Sequence, residues 1–455
     1  MVTGTAEILE LLDRAIDHSE ADQTEALVLA RDSALTRFAT NQIHQNVREH
    51  DADLQVRVIV GERVGVAATN RLDEPGVREV VQRATAIAER SVPNPRVAVL
   101  PEPDGHEHDP DLGYVPATAE AGAQVRAEGA RAVIAAGEAA GLQTSGSFST
   151  STMTIAVVNS HGIRTHHRST RAALLTVMMD GFESGAASGY AQAGATDVRD
   201  LNAGALGAEA AAKGDRMRGA GELEPGEYEV ILEEYAVAGL MEYLSYIGFS
   251  GLAHEEGRSF MELGRRVMGQ NVAIWDDGAD PSGLPAPIDF EGVVRQRVDL
   301  VRDGIANAVV HDAATGARAG TGSTGHGLPA PNLIGPMALN LFVAPGDTPR
   351  EDLVAGVERG VWVTRFHYIN PVHPKKAILT GMTKDGTFLI EHGQLTRPLL
   401  NFRFTQSVPE AFSDVRAASR ETKLLPGEFF GAARTPALHL GSFNFTGVTA
   451  AEGPG

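Results

Sequence analysis

The chain has 455 residues, a formal net charge of −20 and no cysteine. Proteins that bind nucleic acids or anionic membranes use clustered Lys and Arg to neutralise the negative charge of their partner. The acidity therefore argues against DNA, RNA or a membrane surface as a partner. The lack of cysteine excludes disulfides, thiolate metal ligands and a cysteine nucleophile. The length exceeds what one core usually holds and suits two domains.

The first half of the chain shows helical and strand patterns in turn. Helical spacing or a helix-forming composition predicts helices at Thr5–His18, Pro75–Ser91, Ala117–Ala140 and Asp197–Lys213. The predicted strands are Glu25–Arg31, Ser33–Thr40, Leu54–Val60, Arg63–Thr69, Leu142–Thr150, Met153–Asn159, Gly162–Arg168 and Arg171–Met179. The Gly61-Glu62 turn indicates that Leu54–Val60 and Arg63–Thr69 form a hairpin.

A Pro- and Asp-rich stretch, Ser91–Asp111, interrupts these patterns and indicates a surface loop. It contains His106-Glu107-His108, which has the composition of a metal-binding tract. Because the tract lies in a segment with no predicted rigid element, we interpret it as solvated loop.

The polar segment Arg216–Pro225 breaks the pattern again and indicates a domain boundary. After it come a predicted strand, Glu227–Leu232, and a predicted helix, Tyr235–Ile247. The remainder alternates short apolar runs with Gly, Pro and Asp turns. The sequence therefore predicts an α+β protein with an N-terminal domain of helices and antiparallel sheet at residues 1–220 and a largely β C-terminal domain at 221–455.

No export or membrane signal is visible in the sequence. The segment Met1–Asp13 lacks the basic stretch and apolar core of a secretory signal. Apolar runs stay shorter than the roughly 18 residues of a membrane-spanning helix. We therefore expect a cytoplasmic location and no membrane partner.

Three sequence blocks carry a resemblance to a known family. The strongest, Phe366–Pro398, contains HYINPVHPKKAILTGMTKDGTFLIEHGQLTRP and continues into Asn401–Val415. The second, Thr315–Asn340, contains TGSTGHGLPAPN, and the third is Tyr228–Leu232 with the helix that follows. In this order the blocks resemble the TldD/PmbA (TldE) family, including its FLIE-x-G-x-x-x-x-P hairpin. The resemblance covers nearly the whole chain.

The resemblance implies a two-domain α+β fold and a dimer around a central cavity. In the family, TldD proteins bind zinc through an H-E-x-x-x-H helix and a cysteine, and their TldE partners lack these ligands. Together they cut unfolded or extended peptides. We therefore expect a TldD-like metalloprotease subunit as heterodimer partner, a peptide substrate, and zinc in the partner but no cofactor in this chain. A homodimer formed by the chain alone is the alternative assembly.

The resemblance places the zinc motif on the predicted helix Tyr235–Ile247. An ungapped placement puts Met241 and Tyr246 where histidines belong and Glu242 at the general-base position. A thioether is a poor zinc ligand, and a phenol ionises only near pH 10. Without a metal, Glu242 has no bound water to activate, which favours an ordinary helix carboxylate. We therefore predict no metal and no catalytic residue in this chain.

The remaining histidines leave open a metal site elsewhere. His254 has no second histidine within a helical turn, so a polar loop or helix start is favoured. His166 and His167 must point to opposite faces of a strand, which favours structural roles for both and for the nearby His161. A substitute site would have to form in space from C-terminal residues: His311 with Asp312, His326, His367, His373 and His392.

The Gly-rich tract Gly320–Gly327 contains a hydroxyl group and a histidine, Ser323 and His326. It matches neither the G-x-S-x-G elbow of serine hydrolases nor a P-loop. A flexible loop is the favoured interpretation. The alternative is a wall of the peptide channel, where missing side chains let an extended substrate approach. The channel candidates are Gly322, Ser323, His326 and His254.

Three functional hypotheses follow. The first is a non-catalytic subunit that completes the cavity of a TldD-like partner and binds peptide at a sheet edge. The second is an independent hydrolase with a relocated metal site. The third is a homodimeric peptide-binding protein without catalysis. Zinc content of the purified chain and its copurification with a TldD-type protein separate the three.

Overall fold

Two β-sheets organise the chain. The computed structural model describes residues 4–96, 99–181, 187–427 and 431–448. One sheet is built from strands before residue 196 and the other from strands after residue 225. This arrangement confirms the α+β fold class. Between the sheets, a helix ends at Arg216, the next strand begins at Gly226, and Gly221 bridges to Leu399. The boundary at residue 220 stays a prediction.

The N-terminal sheet has six antiparallel strands in the order β3-β2-β1-β4-β5-β6. The strands are β1 (Gln23–Ala39), β2 (Gln42–Val60), β3 (Arg63–Thr69), β4 (Gln143–Asn159), β5 (Arg164–Met179) and β6 (Ser188–Ala195). Outside the first part of β2, apolar residues lie on both faces of the sheet, so most of the sheet is covered on both sides.

Helices cover one face of this sheet. They are α1 (Thr5–Asp17), α2 (Glu74–Arg90), α3 (Pro116–Ala119), α4 (Ala123–Ala139) and α5 (Ala203–Arg216). A short 3-10 helix, Val198–Asp200, precedes α5. Helices α1 and α2 pack on one end of the face around Val28 and Val56, and α4 and α5 pack on the other around Phe148 and Leu174.

The C-terminal sheet contains a closed ring of five strands. Strands β7 (Gly226–Leu232), β12 (Arg359–His373), β13 (Ile378–Glu391), β15 (Phe402–Ser407) and β17 (Ala432–Val448) pair in that order, and β17 returns to β7. Buried phenylalanines alternate along β15 and β17 and fill its centre with Phe366. The remaining strands are β8 (Ile274–Asp276), β9 (Val298–Arg302), β10 (Ile305–Ala306), β11 (Asn340–Val343), β14 (Gln394–Pro398) and β16 (Val415–Pro426).

Four further α-helices interrupt these strands. The longest, α6 (Glu234–Ile247), follows β7 and packs on β12 and β17. The others are α7 (Gly251–Glu255), α8 (Ala313–Ala319) and α9 (Val408–Ala411). Short 3-10 helices lie at Arg350–Gly356, Pro374–Lys376 and Phe412–Asp414. Among the described residues, no helix combines the length and apolar character needed to cross a membrane.

The face of the N-terminal sheet without helices packs on the C-terminal half. Leu27, Ile155 and Val157 form one buried contact with Ile288 and Val293. Tyr190 of β6 forms a second contact with Tyr235 of α6 and with Leu425. The two halves therefore meet along the length of the sheet, and α6 lies at this junction.

The strands differ from the sequence prediction mainly in length. Glu25–Arg31 and Ser33–Thr40 form the single strand β1, because Asp32 is held within it by an ion pair with Arg48 at 2.6 Å. The four strands predicted between Leu142 and Met179 likewise form only β4 and β5. Strand β2 begins at Gln42, before the predicted start, since its first part is exposed on both faces and lacks apolar alternation.

The helices agree better with the prediction. The predicted helix Ala117–Ala140 divides into α3 and α4, and α4 begins after Gly122. The predicted helix Asp197–Lys213 starts as a 3-10 turn, and α5 begins only after Asn202. Asn202 caps α5, because its side chain accepts a hydrogen bond from the Ala205 N–H at 3.0 Å. Helices α1, α2 and α6 and the β2–β3 hairpin are confirmed. The predicted loop 91–111 has no helix or strand in its described part, which excludes residues 97 and 98.

Candidate functional site

Helix α6 presents two different faces. Val237, Leu240, Met241 and Leu244 are fully buried in the C-terminal core. Tyr235, Ala238, Gly239, Glu242 and Ser245 face a cavity between α6 and the N-terminal sheet. Both sets recur every three or four residues, so the helical period itself separates the core face from the cavity face.

The cavity has a volume of about 260 Å³ and is formed by both halves of the chain. Leu175 and Val177 of β5 and Tyr190 and Gln192 of β6 supply the N-terminal wall. The C-terminal walls come from α6, β12 and the segments around β11, β16 and β17: Ala338, Leu339, Leu341, Arg365, Phe366, His367, Leu425, Pro426, Gly427, Ala432 and Ala433. Most of these side chains are apolar, and a few polar groups lie among them, as in many ligand sites.

The charged groups of the cavity are held in place by neighbours. The Arg365 Nε donates to the Asp385 Oδ2 at 2.6 Å, and the guanidinium lies 4.4 Å from the Tyr190 ring centroid. Burial lowers the pKa of His367, and the nearby Arg365 charge adds to this effect, which favours a neutral imidazole. Glu242 is half-buried, and its charge acts on the Arg171 guanidinium of β5.

A buried ionic network fixes the start of α6. We call it the α5–α6 network: Glu209, Lys213, Glu233, Glu234, Arg350 and Lys423. Glu233 accepts from the Lys213 Nζ at 2.7 Å, the Arg350 Nη2 at 2.9 Å, the Trp362 Nε1 at 2.6 Å and the Thr364 hydroxyl at 2.8 Å. Burial opposes the charge of Glu233, but Lys213 and Arg350 hold its pKa below the ordinary value.

A second group of buried charges lies at the other contact between the halves. We call it the Arg57 cluster: Glu25, Arg57, Asp289, Glu291 and Arg295. The Arg57 Nη2 lies 2.6 Å from the Glu25 Oε2 and 3.1 Å from the Glu291 Oε1. Burial raises the pKa of Glu291, and the neighbouring Asp289 carboxylate raises it further against the effect of Arg57.

The structure separates the residues that the sequence analysis places at the zinc helix. Glu242 lines the cavity, whereas Met241 is fully buried in the core and Tyr246 packs partly buried against it. Burial raises the pKa of the Tyr246 hydroxyl, which disfavours a phenolate there. These positions do not fit a zinc site, because one carboxylate faces the cavity while the thioether points away from it.

The channel candidates lie apart from the described lining of this cavity. His326 is fully buried, with its Nε2 2.9 Å from the Asp276 Oδ1 and its Nδ1 2.9 Å from the Thr324 hydroxyl. Ser323 Oγ donates to the His311 carbonyl at 3.3 Å. Gly322 is exposed, and His254 is half-buried on α7. Their role in a channel stays a prediction.

The remaining histidines occupy separate positions. His167 is buried and its Nε2 lies 2.8 Å from the Leu112 carbonyl, while His166 points to the opposite face of β5. Burial lowers the pKa of His167 to about 4. Among the residues that the structure describes, no three His, Asp or Glu side chains are grouped closely enough to hold a metal ion.

Several cavity residues were not predicted from the sequence, including Tyr190, Tyr235 and Arg365. They lie on β6, α6 and β12, and none belongs to a short motif with a recognised chemistry. Tyr235 alone carried a usable signal, since it is one of the polar positions on the cavity side of a helix whose other side is apolar.

Comparison with known proteins identifies the fold and the family. A model of the PmbA/TldA metallopeptidase C-terminal domain matches residues 225–447, and a model of PmbA/TldA metallopeptidase domain 1 matches residues 24–88. The crystal structure of TldE from Thermococcus kodakarensis superposes with a TM-score of 0.86 over 97% of this chain and 100% of that one, at 22% sequence identity. This likeness shows a shared fold.

Curated relatives agree with these matches. A metalloprotease PmbA homolog of Haemophilus influenzae is 24% identical over 331 residues, which cover 70% of this chain and 73% of that protein. A metalloprotease of Methanocaldococcus jannaschii is 25% identical over 207 residues, and the match spans 44% of this chain and less than half of that protein, 45%. With two domain models matched in order and the fold shared over nearly its whole length, this chain belongs to the PmbA/TldD family of metalloprotease-like proteins.

Proposed function

We propose that this chain is the metal-free, TldE/PmbA-type subunit of a TldD/TldE-type zinc metalloprotease that acts on unfolded or extended peptides. In this proposal the zinc and the catalytic residues belong to a TldD-like partner. This chain forms a heterodimer with that partner, shapes the shared cavity and binds peptide. The proposal includes a cytoplasmic location.

The observation that carries the proposal is the chemistry of the cavity face of α6. A hydrolytic zinc site needs three protein ligands and an open position for water. The cavity face of α6 offers Glu242 as its one carboxylate and no imidazole, and the sequence contains no cysteine. The helix on which the resemblance places the zinc motif therefore lines a cavity without offering the ligands that would hold the metal.

Coexpression with a TldD-type metalloprotease tests the proposal. We expect the two chains to copurify and to cleave a fluorescence-quenched unfolded peptide, and we expect no cleavage by this chain alone. Removal of zinc by a chelator should abolish the activity of the complex. Full activity of the TldD-type protein in the absence of this chain would contradict the subunit role.

Elemental analysis of the isolated chain supplies an independent control. We expect zinc in the complex and none in stoichiometric amount in this chain, even after purification in zinc-containing buffer. Stoichiometric zinc together with peptidase activity of the isolated chain would favour an independent hydrolase. Peptide binding without any association with a TldD-type protein would favour a homodimeric binding protein.

A further inference from the structure

Strand β2 has a long edge without a strand partner. It pairs with β1 from Gln42 to Val60, but on its other side β3 pairs only with Leu54–Val60. Among the described residues, none pairs with the outer edge of the segment Gln42–Asp53. At the usual rise of about 3.4 Å per residue, this edge is about 40 Å long. Its outward backbone N–H and C=O groups are available to an added strand.

Three acidic side chains follow this edge on one face. Glu49, Asp51 and Asp53 alternate along β2, and the register with β1 is continuous through them. Asp53 lies opposite Leu29, which packs at the contact between the two halves. The acidic stripe therefore lies on the face that the C-terminal half partly covers.

Nearby cations neutralise this stripe only in part. On this face, Arg31 and Arg37 lie on β1, one strand further from the edge, and Arg31 is opposite Asp51. Partial burial and the negative charge of Asp51 raise the pKa of Asp53, as expected where carboxylates repel one another. On the opposite face, both Arg48 and His50 already pair with Asp32.

The charges decide which strand can be added. A residue directly opposite on an added strand has its Cβ within about 5.5 Å of the edge residue, whereas β1 lies a further strand spacing of about 4.8 Å away. Lys or Arg at alternate positions would therefore meet Glu49, Asp51 and Asp53 at close range. A second copy of this segment offers no cation to the stripe. Parallel in-register pairing would place the acidic residues opposite one another, and antiparallel pairing over residues 43–53 would place them opposite the uncharged Val47, Gln45 and Ile43.

We infer that the edge Gln42–Asp53 binds an extended peptide as an added antiparallel or parallel strand, and that it prefers peptides with basic residues at alternate positions. The inference rests on the proposed function in one respect, because it names the substrate class for a chain proposed to bind extended peptides. The backbone contacts supply sequence-tolerant binding, and the acidic stripe supplies the preference.

Fluorescence anisotropy on the isolated full chain tests this preference. The probes are labelled peptides of alternating Lys and Thr, of alternating Glu and Thr, and of the first composition with all Lys residues in one block. We expect the alternating Lys peptide to bind about tenfold more tightly than the alternating Glu peptide, through three cross-strand charge pairs. The block peptide should fall between them. Equal affinities for all three would overturn the inference.

Hydrogen exchange measured by mass spectrometry locates the site. We expect the alternating Lys peptide to slow amide exchange in fragments that cover Gln42–Asp53. Protection confined to other segments would overturn the inference. Protection of this edge that rises with protein concentration in the absence of peptide would also overturn it, because a second copy would then be the occupant.

A charge-neutralised variant separates the stripe from the overall acidity. The triple variant Glu49→Gln, Asp51→Asn, Asp53→Asn should bind the alternating Lys peptide about tenfold more weakly. A matched variant, Glu20→Gln, Glu89→Gln, Glu262→Gln, removes the same charge from exposed positions outside this edge and should bind nearly as tightly as the wild type. Equal weakening of both variants would overturn the role of the stripe. The wild-type peptide comparison stands even if a variant does not fold.

Cleavage assays on the complex distinguish failure of this inference from failure of the proposed function. If the complex with a TldD-type protein cleaves unfolded peptides but shows no preference for alternating basic ones, only the edge inference fails. If no complex forms while the isolated chain still protects Gln42–Asp53 with the basic peptide, the subunit role fails and the edge site remains.

Discussion

The two groups of buried charges at the junction of the halves differ in their balance. In the α5–α6 network, three carboxylates meet three cations, Lys213, Arg350 and Lys423. In the Arg57 cluster, Glu25, Asp289 and Glu291 meet two arginines, and Asp289 is satisfied mainly by the N–H groups of Glu291, Val293 and Gly327. Carboxylate pKa values fall at Glu209 and Glu233 in the first group and rise at Asp289 and Glu291 in the second, although burial also raises the pKa of Glu234 in the first group.

The difference shows that burial alone does not decide how a charge affects stability. Desolvation penalises the charged form in both groups, and the number of cations within reach decides whether that penalty is overcome. In the balanced network, Glu209 and Glu233 each lie beside two cations and are stabilised as anions, whereas Glu234 pairs with Arg350 and burial still raises its pKa. An acid-rich cluster favours protonation of one of its carboxylates.

The largest effect is expected from Glu233→Ala in the balanced network. The substitution leaves Lys213 and Arg350 with fewer partners and removes the acceptor of the Trp362 and Thr364 donors. We expect the free energy of unfolding to fall by about 3–5 kcal/mol, as when one partner of a buried pair is removed. Urea unfolding followed by tryptophan fluorescence measures it. The exposed control Glu222→Ala should change little, and a loss below about 1 kcal/mol for Glu233→Ala would contradict the network's role.

Smaller effects are expected in the pH dependence of the free energy of unfolding, where Glu209 and Glu291 should act in opposite directions. The pKa of Glu209 falls from 4.5 to about 2 because Lys213 and Lys423 outweigh the effect of burial. The ionised Glu209 carboxylate therefore adds to the free energy of unfolding above pH 4.5, and this stabilisation is lost as the pH falls through 2. Burial raises the pKa of Glu291 from 4.5 to about 8. Protonated Glu291 therefore adds to the free energy of unfolding below pH 4.5, and this stabilisation is lost as the pH rises through 8.

The free energy of unfolding, measured across this pH range, tests both pH dependences. Glu209→Gln should flatten the acid limb of the profile, by on the order of 3 kcal/mol over the full window. Glu291→Gln should instead flatten the decline between pH 4.5 and 8. If both variants flattened the same limb, the contrast between the two groups would be wrong.

The smallest effect is expected at an exposed ion pair that also joins the two halves. Glu255 pairs with Arg96 of the N-terminal half and with Arg318 at 2.8 Å, and all three side chains are partly exposed. Because solvent screens such pairs, Glu255→Gln should change the free energy of unfolding by less than about 1 kcal/mol. If urea unfolding showed a larger loss of free energy of unfolding, the location of a charge at the junction would affect stability more than its burial does.

The fold was predictable where local pattern and tertiary environment agree. Helix α6 has one apolar face in the sequence and one buried face in the structure, so its bounds were predicted within one residue at the start. The first part of β2 carries no apolar alternation because both of its faces are exposed, and so the pattern gives no strand signal there. Asp32 suggested a break in β1 because its partner, Arg48, belongs to another strand.

The site was predictable only at α6. Glu242 was placed correctly on the helix, but its position beside Leu175, Tyr190 and Arg365 depends on contacts between distant segments. The pairing of His326 with Asp276 likewise joins residues far apart in sequence. No spacing rule predicts such contacts, since they arise from the packing of the two sheets.

Strand β17 has a consequence for how the protein is made. It pairs with β7, β11, β15 and β16, so it closes the ring of the C-terminal sheet and completes its neighbours' hydrogen bonds. During synthesis, β7 leaves the ribosome some two hundred residues before β17 does. Until then the ring stays open, with bare strand edges that chaperones can bind and that proteases can attack. We therefore expect a chain truncated before this strand to be prone to aggregation and proteolysis.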